Sequence, residues 1–308
     1  MPFRRTLART VASRPALDRL RMLDTLRKRP IAETLAPLSL TPLTIPALRR
    51  RATRYVADDP HPAGEMRIAS YNIHKCIGRD GHFDPRRTLS VIKEIGADVV
   101  ALQEVDRRFG ARAGLLDLDA VQRETGLVPV LAKRQRRSHG WHGNLVLVRE
   151  GLAATVATLA LPGAEPRGGL VVDLDLPGQP LRIIAAHLGL LRRSRAQQID
   201  TILASAETAD RRPVVLLGDL NEWRVGRRSA LRRLEPDFGP LQAHVASFPA
   251  HFPIWPLDRI VANPRQIVSH IAVHDSPLAR LASDHLPVTA RLRVDLGITA
   301  LADLSPAA

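Results

Sequence analysis

The 308-residue sequence predicts an α/β protein in which two packed, mixed β-sheets carry helices on their outer faces. Two observations point there: from Met66 onward the chain divides into many short apolar runs of strand length, and only a few helical segments lie between them. So many strands with so few helices argue against a βα barrel or a Rossmann sheet, where every parallel strand needs its own crossover helix.

In chain order, the apolar runs place strands at Arg67–Asn72, Asp98–Gln103, Leu145–Arg149, Ala153–Leu161, Leu170–Leu176, Leu181–His187, Val214–Gly218, Asp258–Val261, Ile267–Val273 and Leu286–Val294. Helices are expected at Pro85–Ile95, Leu116–Thr125, Ser194–Ala209 and Gly226–Leu234. No internal repeat or low-complexity tract interrupts them. With 45% apolar residues, the chain has enough material for a sizeable core.

The first fifth of the chain has a different composition. Residues 1–64 hold thirteen Lys/Arg against five Asp/Glu, a net of +8 within a total of +14. Arg-rich stretches there alternate with Pro/Leu/Thr segments, and Leu17–Arg29 could form one amphipathic basic helix ending before Pro30. The expected organisation is a basic N-terminal arm over 1–64, partly helical or disordered, a folded domain over 65–296 and a tail over 297–308. The net charge favours an anionic partner without separating nucleic acid from an acidic membrane surface, which the arm could dock on. No obligate protein partner is evident.

Cys76 is the single cysteine, so no intramolecular disulfide can form and a reducing compartment is the simpler expectation. No apolar run approaches the roughly 20 residues of a membrane span, and Arg4-Arg5 lacks an apolar region behind it. The expected location is the cytoplasm, with membrane-peripheral docking as the variant.

The chemistry-bearing residues sit where apolar strands end. Arg-Ile-Ala-Ser-Tyr runs into Asn72, Val-Val-Ala-Leu-Gln into Glu104, Ile-Ile-Ala-Ala into His187, and Val-Val-Leu-Leu-Gly into Asp219 and Asn221. Loops at strand ends are where a rigid scaffold presents reacting groups. A single such residue is more often a turn or helix-cap residue, so it is the recurrence that carries weight.

Six blocks occur in order: Ser70-Tyr71-Asn72-Ile73, Leu102-Gln103-Glu104, Ala186-His187-Leu188, Gly218-Asp219-Leu220-Asn221, Leu257-Asp258-Arg259-Ile260 and Ser283-Asp284-His285. In order and spacing they resemble the endonuclease/exonuclease/phosphatase superfamily, which includes DNase I, the abasic-site endonucleases, neutral sphingomyelinases and inositol polyphosphate 5-phosphatases. The resemblance covers residues 66 to about 295. It implies a four-layered, DNase I-like α/β sandwich and a divalent-metal-dependent phosphoester hydrolase, most readily a phosphodiesterase, acting on nucleic acid or on a phospholipid or its headgroup.

Hydrolysis of a phosphodiester needs a cation against developing oxygen charge, a base for the attacking water and donors around the phosphoryl oxygens. Hard oxygen ligands suit Mg²⁺, with Mn²⁺ as a substitute. The resemblance implies Glu104 as first metal ligand, with Asn72 and Asp284 completing the site. It implies Asp219 as the group that orients or deprotonates water, with Asn221 holding that water or a phosphate oxygen. His285 would contact the scissile phosphate with Asp258 on its other ring nitrogen, and His187 would donate to a phosphate oxygen or assist the leaving group.

Two positions depart from particular branches. The abasic-site endonucleases carry an acid two residues after the asparagine, where this chain has His74, and the glutamate that DNase I pairs with its first catalytic histidine has no clear counterpart. The leaving-group proton donor is therefore open. Elsewhere, Cys76 reads as a buried packing residue, Ser138–Asn144 as a hydrogen-bonded loop or substrate rim, and Arg192, Arg193 and Arg195 as solvated or phosphate-meeting. With 4% aromatic residues, no aromatic ladder for stacking bases is visible. The reading from a different class is a non-catalytic basic protein that binds polyanions or a membrane surface on the same fold.

Overall fold

A computed structural model of the chain describes residues 64–107, 112–132, 138–207, 210–224, 226–241 and 245–294. The expected basic arm, Gly64 apart, and the expected C-terminal tail lie outside the described residues.

One sheet has the strand order β10-β11-β1-β2-β4-β3, built from β1 (Glu65–Asn72), β2 (Val99–Gln103), β3 (Leu127–Pro129), β4 (Leu145–Arg149), β10 (Val268–Val273) and β11 (Val288–Arg293). The other has the order β5-β6-β7-β8-β9, built from β5 (Ala153–Leu161), β6 (Arg167–Asp175), β7 (Leu181–His187), β8 (Val214–Asp219) and β9 (Asp258–Asn263). Within each sheet one pair is parallel, β1 with β2 and β7 with β8, and the other pairs are antiparallel.

Side-chain alternation turns the two sheets into four layers. In β7 and β8, Ile183, Ala185, Val215 and Leu217 join the large core cluster shared with the first sheet. Their neighbours Ile184, Ala186, Val214 and Leu216 point the other way, onto Ile199 and Ile202 of helix α3 (Arg192–Ala206). Both faces are covered, which is why these strands read as unbroken apolar runs rather than an alternating pattern. On the far side of the first sheet, α1 (Pro85–Ile95) buries Leu89, Val91, Ile92 and Ile95 in the large cluster, and α2 (Leu118–Thr125) buries Ala120 and Val121.

Local chemistry sets these helix ends. Asp84 and Asp117 cap the backbone N–H of Arg87 and Ala120, each at 3.0 Å, and Gly96 and Gly126 close the C-termini at φ 56° and 67°.

The two-sheet architecture matches the expectation, with four local differences. β3 is three residues long and owes its existence to pairing with β4, not to a pattern of its own. The helix expected at Gly226–Leu234 is two 3₁₀ turns, Gly226–Arg228 and Ala230–Leu234, separated where the Ser229 hydroxyl accepts from Leu231 N, and α4 (Glu235–Phe238) follows. Helix α5 (Pro277–Ala282), one and a half turns capped by Ser276, was too short to stand out from a loop. The last strand starts at Val288 rather than Leu286, after Pro287, which has no N–H to give a ladder. Among the described residues no helix is long and apolar enough to cross a membrane.

Candidate active site

Strand register assembles the site. In the second sheet His187 pairs with Asp219 across β7/β8, and Asp219 with Asp258 across β8/β9, so three strand ends place three chemical groups in one row. In the first sheet Asn72 pairs with Gln103, which puts Glu104 one residue beyond the end of β2. Gly218 makes the approach feasible: at φ 147° a Cβ would lie 1.8 Å from the Ala186 carbonyl oxygen, so no side chain fits beside β7 immediately before Asp219.

The row is closed across the sandwich. Asn72 Nδ2 donates to Asp219 Oδ2 at 3.0 Å, linking β1 of one sheet to β8 of the other. The same oxygen lies 3.5 Å from His187 Nε2 and 3.8 Å from His285 Nε2. The other oxygen of Asp219 accepts Asn221 N at 3.0 Å, while Asn221 Nδ2 donates to the Leu188 carbonyl at 2.9 Å. Asn221 and Glu104 both hold left-handed backbones, φ 50° and 60°, as do His74 and Lys75. Such strain in non-glycine residues persists only where surrounding structure enforces it, and here it gathers at the strand ends.

His285 is gripped from behind. Its Nδ1 meets Asp258 Oδ2 at 2.8 Å, that oxygen also accepts from Ser247 Oγ at 2.5 Å, and the Phe248 ring lies 4.8 Å away. Burial works against the charged imidazole, yet the carboxylates of Asp258 and Asp219 outweigh it and push the pKa up to about 10. Ser283 fixes the loop, its hydroxyl donating to the Asn72 carbonyl at 2.7 Å and accepting from His285 N at 3.2 Å.

His187 has the opposite environment. Burial drives its pKa down to about 4, Arg167 adding to the fall against the opposing pull of Asp219. Arg167 Nη1 stands 3.0 Å from His187 Nε2, and since a guanidinium can only donate, Nε2 is the acceptor. Glu165 holds the rest of that guanidinium, at 3.2 Å from Nε and 2.9 Å from Nη2.

Glu104 lies beside a cleft lined by Lys75, Arg112, His142, Arg167 and His187. Its Oε2 accepts from Lys75 Nζ. Burial alone would raise the Glu104 carboxyl, but His187 when charged, together with Lys75, outweighs it and holds the carboxyl below its ordinary value. Asp284 is half-exposed, with Oδ1 3.8 Å from His74 Nδ1, and His74 N donates to Asn72 Oδ1 at 3.0 Å.

Of the residues expected from sequence, Asn72, His187, Asp219, Asp258 and His285 thus form one linked set, with Asn221 bonded to Asp219 through its backbone. Glu104 and Asp284 stand at its edge, engaged by Lys75 and His74. Asp219, Asp258 and His285 are the group of acids and imidazoles whose ligand atoms lie within 4.8 Å of one another. Within that group His285 Nδ1 is already engaged by Asp258 Oδ2, while His285 Nε2 lies 3.8 Å from Asp219 Oδ2.

Arg167, Lys75, Ser247 and Phe248 escaped sequence reasoning. Lys75 sits three residues after Asn72 and was open to notice; an arginine opening an apolar strand and a serine in an irregular loop carry no signal. Arg195, expected to be solvated or to meet phosphate, is instead fully buried, donating to the Gly189 and Leu190 carbonyls and to Glu222. Cys76 is buried, as expected.

A two-sheet sandwich with linked carboxylates and imidazoles where its strands end is the frame of a phosphoester-hydrolysing enzyme. The chain belongs to the Endonuclease/Exonuclease/phosphatase family, whose model matches residues 69–285, and that family is generally dependent on divalent metal. It is 31% identical to the uncharacterized protein YbhP of Escherichia coli K12, over 74% of this chain and 96% of that one. Among solved structures, an endonuclease/exonuclease/phosphatase from Beutenbergia cavernae aligns with TM-score 0.54 at 24% identity, covering 75% of this chain and 72% of that chain. D. rerio TDP2, solved with a single-strand DNA product, aligns with TM-score 0.52 at 15% identity over 74% and 98%. These likenesses are to the fold.

Proposed function

We propose that the chain is a Mg²⁺-dependent phosphodiesterase that hydrolyses its substrate by in-line attack of water on phosphorus, without a covalent enzyme intermediate. The observation that carries this reading is the convergence on Asp219 Oδ2: an amide donor and two imidazoles surround one buried carboxylate at the mouth of the sandwich.

The donor set fits a hard divalent cation. Glu104 offers a carboxylate already matched to positive charge through Lys75, and Asn72 and Asp284 carry further oxygens, both of them facing His74. Glu104, Asn72 and Asp284 would hold the ion, and its contribution there is to neutralise charge on the phosphoryl oxygens.

The remaining work belongs to the chain. Asp219 orients the water and takes its proton as the new O–P bond forms and the bond to the leaving oxygen breaks. Charged His285, held by Asp258, presents Nε2–H to a phosphoryl oxygen. His187 takes the role of an orienting neighbour whose Nε2 is already occupied, and Arg167 beside it supplies the fixed positive charge on the cleft side. Asn221 holds the loop that carries Asp219 in place.

Hydrolysis of bis-p-nitrophenyl phosphate with Mg²⁺, against the same protein in excess EDTA, tests the reading. Activity should vanish in EDTA and return with Mg²⁺ or Mn²⁺, and Glu104→Gln should lower it at least about a hundredfold while the fold persists. Undiminished hydrolysis in EDTA would overturn it. A parallel panel of plasmid DNA, RNA, sphingomyelin and phosphoinositides assigns the substrate. The nuclease reading is favoured by the DNA product in the TDP2 likeness alone, with no observation on this chain's own surface.

A further inference from the structure

We propose that the rim of this site is a bilayer-docking surface, and that the phosphodiester it receives belongs to a phospholipid headgroup; the second clause rests on the hydrolase reading above.

Large apolar side chains left in water are concentrated around the site. Of nine such residues among those described, six lie on three loops: Leu190 and Leu191 after β7, Trp223 after β8, and Phe252, Ile254 and Trp255 before β9. Phe252 is 68% exposed, Leu190 57% and Leu191 55%, and it is their grouping on neighbouring loops, not the exposure of any one of them, that marks an interaction surface. These are the loops that follow His187 and Asp219 and precede Asp258.

The loops of the rim are tied to one another. The Trp223 ring lies 5.5 Å from Phe248 and 5.8 Å from Trp255, and Phe248 packs on His285. Backbone bonds between Phe248 and Trp255 pin that loop into a hairpin. The Leu190 loop is fastened to the Trp223 loop by the fully buried Arg195, which donates to the Gly189 carbonyl at 3.1 Å, the Leu190 carbonyl at 2.6 Å and Glu222 Oε1 at 3.1 Å. A buried arginine spent on backbone carbonyls holds apolar residues outward that could otherwise collapse onto the core.

Charge on the same loops selects the partner. Arg192, Arg193, Arg224, Arg227 and Arg228 are exposed there, and the one acid among them, Glu222, is buried against Arg195. Apolar tips ringed by arginines match an anionic bilayer, where tryptophan rests at the interface and arginine reaches the headgroups. Single-stranded nucleic acid would call for a row of aromatic faces. Leu190, Leu191 and Ile254 have none. A rim seated at headgroup level holds the lipid phosphodiester against the loops that adjoin His187, Asp219 and Asp258.

The rim tryptophans report on this directly. The chain has three tryptophans, and Trp141, whose indole donates to the Leu159 carbonyl, lies off the rim. Full-length protein is mixed with phosphatidylcholine/phosphatidylglycerol vesicles whose acyl chains are brominated. Insertion of the rim should shift Trp fluorescence to the blue and quench it, whereas docking by distant basic residues alone would leave it unquenched. Leu191→Ser/Phe252→Ser/Ile254→Ser should weaken vesicle binding at least about tenfold and hydrolysis of vesicle phospholipid with it. The same variant should keep bis-p-nitrophenyl phosphate turnover within about twofold, and Phe252→Ser alone gives the smaller effect in the same direction should the triple variant fold poorly.

Unquenched fluorescence with vesicle binding unchanged in these variants would overturn the proposal. Quenching by a single-stranded oligonucleotide in place of vesicles, or loss of concentration-dependent self-association as the main effect of the substitutions, would overturn it in favour of nucleic acid or a second copy. Vesicle quenching together with no metal-dependent hydrolysis of either substrate would uphold the docking surface and sink the hydrolase reading alone.

Discussion

His187 and His285 both approach one carboxylate oxygen, 3.5 and 3.8 Å from Asp219 Oδ2, and both are buried. Burial pushes both imidazoles toward the neutral form. Asp258 and Asp219 overcome that push at His285 and raise its pKa to about 10, while Arg167 reinforces it at His187, whose pKa falls to about 4. Burial is the largest influence on both rings: the carboxylates reverse it at His285, whereas at His187 it prevails over Asp219, with Arg167 adding to it. One site therefore holds a cationic donor and a neutral acceptor from the same side-chain type over the whole neutral range.

The largest effects should fall on the charged histidine and its carboxylate. Replacing His285 by Ala or Asp219 by Asn should each cost on the order of 10²–10⁴ in kcat/KM, whereas His187→Ala should cost about tenfold, since its Nε2 is already taken by Arg167. Equal losses at the two histidines in a phosphodiester assay would break the contrast.

Asp258→Asn should be milder than His285→Ala and should bring the His285 pKa down from about 10 toward the ordinary imidazole value, read by ¹⁵N NMR of the ring nitrogens. The double variant Asp258→Asn/His285→Ala should lose little beyond His285→Ala alone. Additive losses would show that Asp258 does not act through the ring.

Next in size is Arg167→Met, which should raise the His187 pKa from about 4 and increase KM more than it lowers kcat, with Arg167→Lys recovering part of the loss. A His187 titration unmoved by Arg167→Met would leave burial as its only determinant.

The smallest effect concerns stability against pH. The raised His285 stabilises the fold fully below the unfolded value near 6.5 and loses that contribution as pH rises through about 10. The depressed His187 has the opposite sign: its contribution is full above the unfolded value near 6.5 and is lost as pH falls from there through about 4, because the unfolded chain binds the proton first. Thermal melts should therefore fall off toward both limits, the acid limb weakening in His187→Ala and the alkaline limb in His285→Ala.

Ten strands and the carboxylates, amides and imidazoles at their ends were legible because apolar runs of strand length stop abruptly at polar residues, and both features are local in the chain. Covered faces on both sides of β7 and β8 made those runs unmistakable. β3 and α5 were not legible, being held by β4 and by a serine cap around too few residues to show a period. The aromatic content, 4% overall, gave no hint of a cluster. Trp223 lies 25 residues from Phe248 and 32 from Trp255, and only the folded chain brings its ring within 6 Å of theirs.

What the sequence determined by itself is the family, the two-sheet class and the identity of the polar groups, since strand propensity and residue type are written along the chain. Tertiary structure alone decided which imidazole is charged. That depends on the burial of both rings and on Asp258 and Arg167 reaching them from 27 and 20 residues away, at distances of 2.8 and 3.0 Å. Electrostatic energy in a buried site changes steeply over a few ångströms, and no spacing in the chain carries that length scale.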